Sequence, residues 1–377
     1  MATIQQVTAE ILEENLSKRH NLYRTVASGE TIPFVGAGLS TPLGYLGWTA
    51  LLEKLTTVAN ALGTFTPQSP ISDALTYAEE VHAHFLSFSQ PDLLHELIGR
   101  EFAPRDGAAF TPTHARLMRL PFRAFLTTNY DSCIEDALSN YGRQENTTAC
   151  SNCSVTIKRN RADRHMISCF LRSITNRTTA GRRYVAHLHG KFDDTTNIVL
   201  TASSYADAYG VDATPSAISS PQLATLHGKI VWSLFATRRM IFLGFSVDDP
   251  YIKILLDTVL RDLWEQTEAP HFVILPLEER FLGSVQNITS RFQRYGIQTV
   301  FFDNLKGDFS GLDQLLDETF QHCSATPATP PAPIPVVSPT VDDSHRPTAP
   351  QIISEVDTRW LDTVSEKTLL AIKNHED

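Results

Sequence analysis

The sequence predicts an α/β fold, a doubly wound parallel sheet carrying a helical insertion module. Three observations predict it. Short apolar runs of strand length recur at 32–35, 122–126, 184–188, 240–243, 271–275 and 297–302. Segments of helical apolar spacing alternate with them, the order that gives parallel strands with helices on both faces. Four of the runs end in polar turns: Gly36-Ala37-Gly38, Thr127-Thr128-Asn129-Tyr130-Asp131, His187-Leu188-His189-Gly190 and Gly244-Phe245-Ser246. In an open parallel sheet such turns share one edge, so residues distant in sequence can meet there. The arrangement is Rossmann-like.

The elements follow in order. Residues 1–28 predict an N-terminal helix, with Val7, Ile11, Leu12, Leu16 and Leu22 at near-helical spacing and a stop at Gly29. Ile32 to Val35 predicts the first strand, which ends at Gly36-Ala37-Gly38 with a hydroxyl at Ser40. Glycines there let the backbone approach a phosphate, and their N–H groups could cradle one. A bare Gly-x-Gly also makes an ordinary tight turn. Trp48, Leu51, Leu52, Leu55 and Val58 predict a helix next.

Residues 60–120 read as a helical module, with two or three helices after residue 70, starts near Pro70, Pro91 and Pro112, and no strand. His82, His84 and His95 fall there and read as ordinary helix histidines, because no fixed carboxylate or cysteine accompanies them. Phe122 to Leu126 predicts a strand and Ile134 to Leu138 a helix. Tyr184 to Leu188 predicts the next strand. Alternation puts His187 and His189 on one side of an extended chain. His189, just before Gly190, is the reactive candidate, and His187 a packed or supporting histidine. Met240 to Leu243, His271 to Leu275 and Ile297 to Phe302 predict further strands. Helices are expected over Ile252 to Leu263, Val285 to Phe292 and Leu312 to Phe320.

Between the second and third turns lies an insertion, residues 145–183. Its Cys150, Cys153, His165 and Cys169 make C-x2-C followed by H-x3-C, a spacing from which a tetrahedral zinc site could be built. The competing reading is reduced thiols in a β-hairpin-like insertion. The segment is also basic, with Lys158, Arg159, Arg161, Arg164, Arg172, Arg177, Arg182 and Arg183. That is either a solvated face or a contact for an acidic partner, a neighbouring subunit or nucleic acid. Residues 324–350 form a Pro-rich linker: eight of the 21 prolines fall within it, which excludes regular helix or sheet. Residues 351–377 could form a short helix through Trp360, Leu361, Val364 and Leu369, to dock on the body, join subunits or meet a partner.

Composition sets the bounds. A chain of 377 residues with 42% hydrophobic content can fill a core. A net charge of −10 argues against nucleic-acid binding over the whole surface. Five cysteines, an odd number, do not read as a secreted disulfide framework. No signal peptide is evident and no apolar run nears the length of a membrane span, so a soluble cytoplasmic protein is expected.

The turns supply one Asn, one His and no paired carboxylates around a possible phosphate loop. That set suits chemistry on a ribose. Cleaving the ribose–nicotinamide bond expels a leaving group that needs no acid. The protein must hold the ribose, place water and supply a base, which neutral His189 could be. Asn129 could orient water or a ribose hydroxyl.

Taken in order, Gly36-Ala37-Gly38-x-Ser40, Thr127 to Asp131, His187 to Gly190 and Gly244 to Ser246 resemble the motifs of the sirtuin (SIR2) superfamily, over roughly residues 30–305. The likeness is greatest to the bacterial SIR2-like branch of NAD⁺ hydrolases that act in anti-phage defence. The resemblance implies a catalytic domain over 29–323 with NAD⁺ as substrate. It implies that Gly36, Ala37, Gly38 and Ser40 hold the diphosphate. Thr128 and Asn129 would belong to the ribose motif, and Asp131 would support the nicotinamide end. His189 would be the catalytic histidine, and Gly244 and Ser246 would contact the adenosine ribose. It also implies a homo-oligomer or a complex with a defence partner protein.

Two departures bear on the reaction. Protein-deacylating sirtuins follow the Gly loop with Gly-Ile-Pro-Asp-Phe-Arg, where this chain has Thr41-Pro-Leu-Gly-Tyr-Leu-Gly-Trp48. They also carry a four-Cys zinc ribbon after the His-Gly motif, where this chain has only Cys323. Both favour water over acyl-lysine as acceptor. Three functions therefore stand at this point: an NAD⁺ glycohydrolase, an NAD⁺-dependent protein deacylase, and a non-catalytic module that senses NAD⁺ or ADP-ribose.

Overall fold

The computed structural model describes residues 4–144, 154–157, 164–175, 183–210, 225–245, 249–263 and 270–325. Seven strands form one parallel sheet: β1 (Thr31–Val35), β2 (Ala124–Thr127), β3 (Ser154–Thr156), β4 (Tyr184–His187), β5 (Arg239–Leu243), β6 (His271–Leu277) and β7 (Ile297–Asp303). Their spatial order is β3-β4-β2-β1-β5-β6-β7, and every pairing is parallel. All five residues of β1 are buried, as a central strand covered on both faces must be.

This order fixes where a site can form. From β1 the chain moves to β2 on one side, and from β5 it moves to β6 on the other. The two strands are neighbours, in register from Thr31 against Arg239 to Val35 against Leu243. Windings of opposite direction therefore part between them, and a crevice opens above their carboxyl ends.

Helices cover both faces. On one lie α2 (Leu16–Ala27), α6 (Pro112–Arg119), α7 (Cys133–Gln144) and α13 (Ser310–Ala325), through residues such as Val26, Leu117, Ile134 and Leu315. On the other lie α8 (Arg164–Thr175), α9 (Ala202–Tyr209), α10 (Leu226–Thr237), α11 (Pro250–Leu263) and α12 (Val285–Gln293). They bury Phe170, Tyr209, Phe235, Leu255 and Phe292 there. The expected helical module is α3 (Trp48–Leu62), α4 (Ala74–Ser87) and α5 (Leu93–Glu101), which share a separate core of Leu52, Leu55, Val81, Phe85 and Ile98. With α6 this makes three helices and no strand between residues 70 and 120.

Three expectations need correction. The single N-terminal helix is two, α1 (Ile4–Glu14) and α2, with Asn15 between them. The Asn15 amide donates to the Thr299 carbonyl at 3.2 Å and accepts from the Phe301 N–H at 3.1 Å. One side chain thus satisfies two backbone groups of the outermost strand β7. The hairpin-like reading of the insertion also gives way. Its described part is the parallel edge strand β3 followed by α8. Ile167, Phe170 and Ile174 of α8 are buried against the sheet, which draws this segment into the α/β pattern. Finally, α9 and α10 occupy a stretch for which the sequence reading had no element. No helix among the described residues is long and apolar enough to cross a membrane. Helix α13 runs to Ala325, two residues into the expected Pro-rich linker; the rest of that linker and the C-terminal segment lie outside the described residues.

Candidate functional site

A cavity of about 590 Å³ sits over the β1–β5 crevice. Its floor is the polar turns at the strand ends: Ala37, Ser40, Thr128, Asn129, Asp131, His189 and Gly244. Its roof is the helical module, which contributes Trp48, Leu51, Leu75 and Phe102, together with Tyr45 from the preceding loop. Tyr45 stacks on Phe102 with their planes 3° apart, and Phe102 meets Tyr130 edge-on, so one wall is aromatic. The volume lies within the range of small-molecule sites, and an apolar wall facing a few convergent polar groups is their common chemistry.

The Gly loop does something more specific than the sequence suggested. The Gly36 N–H bonds the Leu243 carbonyl at 2.8 Å, and the Gly38 N–H bonds the Gly244 carbonyl at 2.9 Å. The Leu39 and Ser40 N–H groups close the 3-10 turn on Gly36 and Ala37. These donors are engaged by protein. What the glycines provide is contact between two backbones: a Cβ on Gly36 would collide with the Gly244 carbonyl oxygen, and Gly244 itself has φ +60°. Ala37 and Ser40 are the loop residues that line the cavity; Gly36 and Gly38 lie beneath it. Ser246 falls outside the described residues.

Asn129 is held from three sides. Its N–H donates to Thr127 Oγ1 at 2.9 Å, and that hydroxyl donates to the Val35 carbonyl at 2.8 Å. Its Nδ2 donates to Ser40 Oγ at 3.3 Å, joining the β2 turn to the β1 turn. Its carbonyl lies 2.9 Å from His187 Nδ1. His187 in turn meets Glu135 Oε1 at 2.8 Å through Nε2. Burial alone would lower the His187 pKa, but the Glu135 carboxylate and the hydrogen bonds outweigh it and raise the value. Burial would likewise raise Glu135, yet His187, Lys191 and Ser154 hold it at about 2. Both shifts describe one buried ion pair, with an imidazolium donating to the Asn129 carbonyl. His187 therefore supports the site from behind. Asp131 faces the cavity, and its Oδ1 accepts from the Cys133 N–H at 3.0 Å at the start of α7.

The two histidines do not share a side. His187 faces α7. His189 faces α9 across the sheet, because the chain leaves β4 after His187 and turns at Gly190, φ +88°. Its Nε2 is 3.0 Å from the Tyr209 hydroxyl and its Nδ1 3.3 Å from the Tyr205 hydroxyl. Tyr205 donates to Asp249 Oδ2 at 2.9 Å. Burial, with His227 nearby, holds His189 well below the ordinary histidine value, so it is neutral at pH 7. Burial pushes Asp249 up, against the Ile252 and Tyr251 N–H groups and the Tyr205 hydroxyl that favour its charged form.

Sequence reasoning missed Tyr205, Tyr209 and Asp249. A signal existed for the tyrosines. Thr201 and Ser204 make a reciprocal cap at the start of α9, and Tyr205 and Tyr209 are four apart on one face. Of the other candidate ligands, His165 and Cys169 lie 3.6 Å apart on α8, while Cys150 and Cys153 are outside the described residues. His84 bonds the Ala59 carbonyl, and His82 and His95 meet ring to ring.

Residues 123–300 match the family model described as SIR2-like domain. That match takes in just under half of the chain. The matched span runs from the residue before β2 into β7, so it takes in Asn129, His189 and Gly244 but not the β1 loop. Among curated proteins, this chain is similar to several named NAD(+) hydrolase ThsA. That of Acinetobacter baumannii (strain 532279) is 29% identical over 242 residues, 64% of this chain and 41% of the relative. That of Bacillus cereus (strain MSX-D12) is 27% identical over 281 residues, 74% of this chain and 46% of the relative. That of Enterococcus faecium is 24% identical over 269 residues, 69% and 46%. The chain thus spans less than half the length of these relatives. A solved Sir2 homologue–NAD complex is similar at 14% identity and a TM-score of 0.34, covering 81% of this chain and 93% of that one.

Proposed function

We propose that this chain is an NAD⁺ hydrolase that cleaves NAD⁺ to nicotinamide and ADP-ribose. One observation carries the reading: Asn129 and neutral His189, from separate strand ends, line one cavity at the switch point of the sheet. Relatives named NAD(+) hydrolase support it. In this reading Ala37, Ser40 and Thr128 seat the dinucleotide, with Gly36, Gly38 and Gly244 setting the shape of the loop beneath it, and Ser246 completes the adenosine end. The aromatic wall excludes bulk water from the reacting bond.

The C1′–N bond breaks and its electron pair leaves with nicotinamide. A water oxygen, oriented with the ribose by the Asn129 amide, bonds C1′. The water gives up its proton, and His189 is the base that receives it. Asp131 sits beside Asn129 to orient the nicotinamide end. In a cell the reaction would deplete NAD⁺. In this reading the chain acts in anti-phage defence, as a homo-oligomer or with a defence partner protein, which the motif resemblance supports.

Purified protein incubated with NAD⁺, alone and with the products of neighbouring genes, should release nicotinamide and ADP-ribose. Asn129→Ala and His189→Ala should each reduce kcat by at least about 100-fold. Turnover only in the presence of an acyl-lysine peptide would make the chain a deacylase instead. Ligand binding without turnover in any assembly would make it a sensor.

A further inference from the structure

His189 is surrounded by protein groups that the proposed reaction has not yet used. Among the described residues, Tyr205 and Tyr209 face it from α9, and His227 comes from α10. Asp249 and Tyr251 stand at the head of α11. His189 Nε2 lies 3.9 Å from Asp249 Oδ2. Asp249 is fixed independently of the histidine: its Oδ1 accepts the N–H groups of Tyr251 at 2.9 Å and Ile252 at 3.0 Å, in the first turn of α11. A carboxylate suits that position, at the positive end of a helix.

Donor and acceptor roles then follow in sequence. The two N–H groups on Oδ1 favour the ionised carboxylate against burial, and an ionised carboxylate can only accept, so the Tyr205 proton lies toward Asp249 Oδ2. The Tyr205 oxygen is left to accept, so His189 Nδ1 must carry the imidazole proton. Nε2 is then the acceptor nitrogen and takes the Tyr209 hydroxyl. The order is Asp249, Tyr205, His189, Tyr209.

We propose that Tyr205 and Asp249 are positioning residues that hold His189 as its Nδ1-protonated tautomer and balance the charge it gains as base. The inference rests on the NAD⁺ hydrolase reading for its kinetic part and on geometry alone for its tautomer. When His189 takes a proton at Nε2, the Tyr209 hydroxyl turns its own proton away and accepts the new Nε2–H, while the imidazolium keeps its Nδ1–H on Tyr205. The positive charge stands beside the Asp249 carboxylate, in a place where burial otherwise opposes it. Both supporting residues line the cavity. The arrangement needs no partner beyond the proton donor of the reaction.

The tests are Tyr205→Phe, which keeps the ring, and Asp249→Asn, which keeps an oxygen for the α11 N–H groups. Each should lower kcat for NAD⁺ cleavage by about 10- to 100-fold, with KM changed by less than about threefold. The double variant should be no slower than the slower single, because the groups act in series. Histidine-labelled protein supplies an activity-free readout. The NMR signals that vanish in His189→Gln identify this ring, and they should report Nδ1–H in wild type and lose that signature in Tyr205→Phe. An Nε2–H tautomer in wild type would overturn the proposal. So would variants that match wild type in kcat and tautomer. Wild type that never cleaves NAD⁺ but shows Nδ1–H would end the hydrolase reading and leave the tautomer assignment standing.

Discussion

His187 does its work without lining the cavity. It links the Asn129 carbonyl to a buried glutamate, so its loss would free the Asn129 backbone and strand Glu135 without its main counter-charge. Removing one partner of a buried pair costs about 3–5 kcal/mol. His187→Ala should therefore lower the urea midpoint by a corresponding amount, beyond the effect of an exposed histidine replaced elsewhere. Asn15 makes a similar argument at the sheet edge. Asn15→Ala leaves the Thr299 carbonyl and the Phe301 N–H without its amide, and about 1–3 kcal/mol of stability should go with it in the same measurement. At this scale the sequence was readable where a residue sat next to a turn. Asn129, Asp131 and His189 stood out because polar groups ended apolar runs. Asp249 did not, because its partners, Tyr205 and the head of α11, come from different parts of the chain and meet only after folding.

Between elements, the contact that matters most is the one between the turns after β1 and β5. Gly36→Ala would force a Cβ into the Gly244 carbonyl, and the atom it meets is backbone that cannot rotate away. The expected cost is about 1–3 kcal/mol, read from chemical denaturation, with weaker NAD⁺ binding read separately by calorimetry. Six of the seven strands were legible as apolar runs because a parallel sheet buries both faces of its strands. The three-residue strand β3 was not, since it lies at an edge and its register is set by β4. Helix α9 was missed for another reason. It is only eight residues long, and its apolar face is made of tyrosines and alanines, which give little periodic contrast. That miss also hid the two tyrosines on His189.

Across the whole molecule, several buried histidines make stability depend on pH. Burial lowers His227 to about 4 and His271 to about 3, and it takes His189 well below its usual value. His271 Nδ1 accepts the Met240 N–H between neighbouring strands, a bond that only the unprotonated nitrogen can make. In the unfolded chain these rings bind protons near pH 6.5, whereas in the folded chain they resist doing so. The unfolded state then holds more protons, so stability falls as pH drops below about 6.5, down toward 4 for His227 and 3 for His271. His187 works in the other direction: its raised value contributes stability below about 6.5 that is lost as pH rises through its folded value. Each depressed histidine should cost on the order of 1 kcal/mol between pH 7.5 and 5.5, so the urea midpoint should fall over that interval. NAD⁺ cleavage measured over the same interval, in protein that is still folded, should not show a loss from His189 protonation.

The glycine contact at the crevice also settles which wall of the cavity can move. The loops after β1 and β5 are tied by the Gly36-to-Leu243 and Gly38-to-Gly244 hydrogen bonds, with no side chain between them to act as a spacer. Prying them apart would unzip the central strands of the sheet. Entry to the cavity is therefore left to the roof, where the helical module meets the floor through side-chain contacts such as Phe102 on Tyr130. Slow amide exchange at Gly38, beside faster exchange across residues 41–48, would be the signature of a chamber with a welded base and a removable cover.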